Sequence, residues 1–282
     1  MRKYLSAYAP SLRELWLIMI VLLCLGGGIV SGVASVVVSK IFKIDLISVS
    51  LALYPLQFLL AILFIRMRSQ ENYREQIKRG VPLPQEAPPS FGSIHGVLFF
   101  ALLAALLPAF SIATEPVSIP ISLWLPMPES LKEFFGEIGN QGWVSIFSLV
   151  IMAPLLEEWL CRGVALKGLI KNGYSPTSAI IWSAFMFGII HLNPWQALPA
   201  FLMGLLFGWI YWRTKSLWSV IFLHAVNNGL SVAIDWAYPD LPEEAAIYEL
   251  VGTQSYFWIL GGAIVVSASI VWFFHRKLTP TI

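Results

Sequence analysis

Charge is what this sequence has least of. Asp, Glu, Lys and Arg together make up 12% of its 282 residues, while 57% are hydrophobic and the mean hydropathy is +0.74. Soluble domains carry about 25% charged residues, and half that supply leaves too little polar surface to wrap a water-soluble globule. Lipid is the solvent for most of the chain. Cysteine is scarce as well. Cys24 and Cys161 stand alone in apolar stretches, without CxxC spacing or a second pair, which excludes a disulfide framework and a zinc ribbon. No basic run with interleaved aromatics occurs, so no nucleic-acid partner is expected. An HExxH motif is absent too, as is the internal repeat of a two-fold transporter.

Long apolar runs, by contrast, are plentiful. Crossing the hydrocarbon core takes about 20 mostly apolar residues. Eight segments answer to that length: 14–39, 46–66, 93–113, 143–162, 177–193, 196–212, 216–236 and 255–275. The expected fold is therefore all-α, a polytopic membrane bundle of about eight transmembrane helices. Basic residues before the first run resemble a secretory leader, but the run continues through Val38. That exceeds the usual apolar core of about 7–15 residues, so the segment reads as a retained first span. The fifth and sixth segments meet at Asn193-Pro194, a tight turn that folds them into an antiparallel hairpin, since proline cannot continue a helix.

Eight crossings put all but Lys40, Lys43 and Lys132 of the 18 Lys and Arg residues on one side. Positive charge marks the cytoplasmic side, so both termini are expected there. The polar, proline-rich stretch 67–92 reads as a cytoplasmic loop. It separates a two-helix hairpin, residues 1–66, from a six-helix block, residues 93–282. Gly28/Gly32 and Gly204/Gly208 have the spacing that lets membrane helices approach closely.

Ionisable side chains at bilayer depth cost roughly 2.5–3.5 kcal/mol each and mark functional positions. Most of the spans carry none, and the exceptions cluster. In Pro154-Leu155-Leu156-Glu157-Glu158-Trp159-Leu160-Cys161-Arg162, Glu158 and Arg162 are one helical turn apart in the favourable order for an ion pair. Glu157 is rotated by about 100° from Glu158, free for chemistry. Pro154 removes an amide donor one turn earlier and predicts a kink. His191 follows Phe187 in the fifth segment, and His224 and Asn228 share a face of the seventh. By helical rise, Glu157 and His191 each lie roughly 21 Å from the cytoplasmic ends of their segments, and Asn228 roughly 18 Å. These depths are compatible with one shared site.

A carboxylate, two imidazoles and a carboxamide suffice to hydrolyse an amide. Glu157 would take a proton from water that His191 helps to orient. His224 and Asn228 would donate hydrogen bonds to the oxyanion of the tetrahedral intermediate. No cofactor is then required. The competing arrangement binds zinc through Glu157, His191 and His224 and leaves one position for water. Two non-hydrolytic readings also stand: a membrane adaptor or immunity protein, and a proton-coupled transporter using the Glu/His set as a relay.

The ordered set Glu157-Glu158-xxx-Arg162, Phe187-xxx-His191 and His224-xxx-Asn228 resembles the CAAX prenyl protease and bacteriocin-processing (CPBP, or Abi) family. The resemblance covers about residues 143–236. It implies an intramembrane endopeptidase acting on a membrane-associated peptide or protein, prenylated or bacteriocin-like, in a bacterial plasma membrane. It also implies Glu157 as the base with His191 assisting, His224 and Asn228 as the oxyanion site, and Glu158, Arg162 and Phe187 as structural support. Some members of such a family serve as scaffolds instead.

Overall fold

Every one of the eight apolar segments is helical in the computed structural model, which describes residues 2–83, 87–238 and 247–278. Among them there is no strand. After a helical turn at Arg2–Leu5, the chain runs through α1 (Leu12–Phe42), α2 (Leu46–Ala52), α3 (Tyr54–Lys78), α4 (Gly96–Trp124) and a short amphipathic α5 (Glu129–Gly139). It continues through α6 (Trp143–Lys171), α7 (Pro176–Ile189), α8 (Pro194–Thr214), α9 (Leu217–Ala237) and α10 (Thr253–Lys277). Among the described residues five helices are long and apolar enough to span a bilayer, namely α1, α4, α6, α9 and α10. The pair α2 and α3, bent by 51°, makes a sixth if counted as one broken span. The chain is an integral multi-pass membrane protein.

The α7–α8 hairpin refines the count of eight. With 14 residues, α7 rises only about 21 Å, short of the roughly 30 Å hydrocarbon core. Its tip, where His191 sits, therefore falls inside the bundle's height. Small residues let the two helices of the hairpin touch. A Cβ on Gly204 would lie 2.9 Å from the Ala184 Cα, one on Gly208 3.1 Å from Ile180, and one on Gly188 2.6 Å from the Ala197 carbonyl. Gly28 and Gly32 have open space instead, so only one of the two glycine pairs serves close packing. Gly204→Ala is expected to cost about 1–3 kcal/mol by overpacking, read as an earlier thermal unfolding of the purified protein in detergent. An unchanged melting temperature would contradict the contact.

Two boundaries differ from the sequence expectation. The helix that begins at Tyr54 runs on to Lys78, so the first half of the 67–92 stretch is helix rather than loop. Ion pairs sustain it: Arg68 binds Glu14 of α1 at 2.9 Å and Glu71 at 2.7 Å, and Arg79 reaches Glu75. Similarly, α4 continues to Trp124 through Pro108, Pro116 and Pro120. Prolines are tolerated in membrane helices, where neighbouring groups re-satisfy the freed backbone.

Both described ends of the chain lie at one end of the bundle. Lys171 donates to the Ser6 carbonyl at 2.8 Å, and Arg213 to the Leu278 carbonyl at 2.7 Å. At the opposite end the Trp195 indole binds the Leu125 carbonyl and the Trp236 indole the Gly139 carbonyl. Exposed Trp124 and Trp143 at that end, with Trp218 and Trp272 toward the other, place amphipathic rings where headgroups would meet them.

Candidate active site

The local structure of α6 explains how its carboxylates are aimed. Pro154 has no N–H for the Val150 carbonyl, and its ring would clash with a regular α-turn. The helix answers with wide, π-type turns over Ile146–Met152 and again over Trp159–Leu166, flanking an α-helical stretch Ala153–Glu158. Instead of breaking, α6 runs on as one 29-residue helix. Insertions of this kind recur at functional sites.

Glu158 and Arg162 are both 0% exposed and form an ion pair of 2.8 Å, as their spacing predicts. Arg162 is held from three other directions. Its Nη2 donates to the Gly204 carbonyl of α8 at 3.0 Å, and its guanidinium sits over the rings of Phe187 and Phe207. Phe187 is thus the aromatic floor that keeps the arginine buried. Glu158 Oε1 also accepts from His224 Nδ1 of α9 at 3.0 Å. Because a carboxylate only accepts, Nδ1 carries the proton, which leaves Nε2 facing away from Glu158.

That Nε2 lies 4.0 Å from Glu157 Oε2. The gap is too long for a direct hydrogen bond. Glu157 is 8% exposed, and its Oε2 has no hydrogen-bond partner among the described residues. Its other oxygen, Oε1, accepts from the Tyr54 hydroxyl of α3 at 2.5 Å. Glu157, Glu158, Arg162, Phe187 and His224 are thus brought into one contiguous network.

His191 and Asn228 sit at its edge. The His191 ring packs edge-on to Phe187 at 5.3 Å, the same distance and geometry that Phe187 keeps with His224. One phenylalanine therefore contacts both imidazoles. His191 Nδ1 is 2.8 Å from the Phe187 carbonyl, which fixes the proton on Nδ1 and leaves Nε2 as an acceptor. Asn228 donates one N–H to the Leu149 carbonyl of α6 at 2.8 Å, and its Oδ1 accepts from Asn227. Its second amide hydrogen remains to be given. The imidazole nearest Glu157 is His224 rather than His191.

Among the described residues no three His, Cys, Asp or Glu side chains converge closely enough to hold a metal ion. Glu157, His191 and His224, the set that would ligate zinc, do not form such a group. Tyr54 is the member of the network that sequence reasoning missed. It lies in the N-terminal hairpin, outside the segment of family resemblance, and a tyrosine in an apolar run looks like packing. The signal available was Pro55 beside it, a helix breaker in the middle of a span.

The comparisons with known proteins fall on the same part of the chain. Residues 139–230 match the family model described as Type II CAAX prenyl endopeptidase Rce1-like. A Bacillus subtilis (strain 168) protein named "Putative membrane peptidase YdiL" is 33% identical over 78 residues. That alignment takes in 28% of this chain and 32% of the relative, so the chain spans about a third of the curated protein it matches. No solved structure matches it. All of Glu157, Glu158, Arg162, Phe187, His191, His224 and Asn228 lie within the family match.

Proposed function

We propose that the chain is an intramembrane endopeptidase, its buried polar network lying in the segment that resembles the CAAX prenyl protease and bacteriocin-processing family. It would hydrolyse a peptide bond of a membrane-associated substrate, prenylated or bacteriocin-like, in a bacterial plasma membrane. One observation carries the reading: a buried carboxylate, Glu157, has an oxygen with no hydrogen-bond partner among the described residues, 4.0 Å from an imidazole. Leaving a buried polar atom unsatisfied costs about 1–3 kcal/mol, which favours a water at that oxygen.

In this mechanism Glu157 Oε2 takes a proton from water while His191 Nε2, an acceptor by its bond to the Phe187 carbonyl, helps to orient that water. The hydroxide oxygen adds to the substrate carbonyl carbon. Negative charge develops on the carbonyl oxygen, where the His224 Nε2–H of an imidazolium and the second N–H of Asn228 would meet it. Glu158 supports the positive charge on His224 through their 3.0 Å contact, and Arg162 in turn holds Glu158. When the C–N bond breaks, the proton on Glu157 passes to the leaving amine. No step in this mechanism calls on a metal.

Mass spectrometry of host membranes tests the reading. Cells expressing Glu157→Gln are expected to accumulate a precursor that cells with the native chain cut. If the two membrane peptidomes are identical and the phenotype survives the substitution, the adaptor or immunity-protein reading replaces this one.

A further inference from the structure

The break between α2 and α3 has a physical cause and a consequence for Glu157. Pro55 lacks the N–H that the Leu51 carbonyl would accept in a continuous helix. The chain turns by 51° there, through a tight 3₁₀ turn over Tyr54–Phe58. The freed Leu51 carbonyl does not go unpaired. The buried Ser148 hydroxyl of α6 donates to it at 2.6 Å. The broken span is thereby stapled to the helix that carries the carboxylates, nine positions before Glu157 in the chain. The Tyr54 ring packs edge-on to the fully buried Phe58 at 5.5 Å, and its hydroxyl lands 2.5 Å from Glu157 Oε1.

Building on the hydrolase reading, we propose that Tyr54 is a positioning residue for the base. The Pro55 break and the Ser148 staple hold its hydroxyl on Glu157 Oε1, so that Oε2 alone is presented to water. Glutamate has three side-chain torsions, and an unrestrained carboxylate exchanges its two oxygens and samples several rotamers. A proton acceptor must sit within hydrogen-bond reach of the water it activates. Fixing one oxygen with a charge-assisted bond preorganises the other. Such a role gives the N-terminal hairpin, which lies outside the family match at 139–230, a part in the reaction.

The test begins with the precursor that accumulates in Glu157→Gln membranes. A synthetic peptide spanning its cleavage site is the probe for purified enzyme in detergent. Tyr54→Phe removes only the hydroxyl. It is expected to lower kcat about tenfold or more, the worth of one hydrogen bond to a charged group, with KM unchanged. Ser148→Ala, which leaves the tyrosine in place but frees the Leu51 carbonyl, is expected to lower kcat in the same direction. Native kcat in Tyr54→Phe overturns the proposal. So does a KM that rises in step with the fall in kcat, which would make Tyr54 a packing residue. Absence of any precursor in Glu157→Gln membranes is seen before either variant is assayed. That result defeats the hydrolase reading itself, and the positioning role with it.

Discussion

Glutamine in place of Glu157 is expected to reduce peptide cleavage by about 10²–10⁴-fold, the usual contribution of a positioned general base, while the protein folds as before. The substitution is nearly isosteric. Its side-chain carbonyl can still accept from the Tyr54 hydroxyl, the bond now made by Oε1. What disappears is the capacity of Oε2 to bind a proton. That oxygen has no hydrogen-bond partner among the described residues, so the neutral amide breaks no hydrogen bond, while loss of its charge contact with His224 is offset by relief of a buried charge. Melting temperature in detergent should therefore stay close to that of the native chain. The measurement is paired: turnover of the accumulated precursor, and thermal unfolding of the same preparations. Residual turnover within a few-fold of native, from a variant that melts normally, would remove Glu157 from the chemistry.

His224 separates two ways in which such a loss arises. Alanine at this position removes a donor expected to be worth about 10²–10³ in kcat. It also takes away the imidazole beside Glu157 and one partner of Glu158.

How much of this site was legible in the sequence depends on which contacts are local. Glu158 and Arg162 are one turn apart on a single helix, so the spacing alone predicts the 2.8 Å pair. The rotation between Glu157 and Glu158 likewise follows from the helical period. Contacts between helices were harder. Depth by helical rise brought Glu157, His191 and Asn228 to similar levels, but it could not say that His224 meets Glu158 or that Phe187 packs against both histidines. Those depend on tilt and on the short α7–α8 hairpin, whose close packing is set by Gly188, Gly204 and Gly208. Tyr54 was illegible for a different reason. Its function comes from a helix break whose freed carbonyl is satisfied by Ser148, 97 positions away in the chain. The extended end of α3 was hidden by composition: charged residues beyond Arg66 read as loop, yet their spacing forms ion pairs along a helix.

The ion pair at the centre of the bundle gives the largest expected effect on stability. Arg162→Met fills a similar volume but takes from Glu158, 0% exposed, its permanently charged partner. Removing one partner of a buried pair typically costs about 3–5 kcal/mol, because the other charge stays behind uncompensated. His224 Nδ1 would be the remaining partner of Glu158 Oε1, and the Gly204 carbonyl would lose the guanidinium that Arg162 lends it. The variant should melt well below the native protein and hydrolyse poorly, since His224 is oriented through the same carboxylate. Glu158→Gln combined with Arg162→Met removes the stranded charge, and it should recover part of the melting temperature without recovering activity. That split follows from the geometry: neutralising Glu158 relieves the buried carboxylate, but it also withdraws the negative charge that supports an imidazolium at His224. A double variant no more stable than Arg162→Met would show that the arginine acts through its packing on Phe187 and Phe207 rather than through the pair. Recovery of turnover along with stability would place the Glu158–Arg162 pair outside the mechanism and leave it a purely architectural feature of α6.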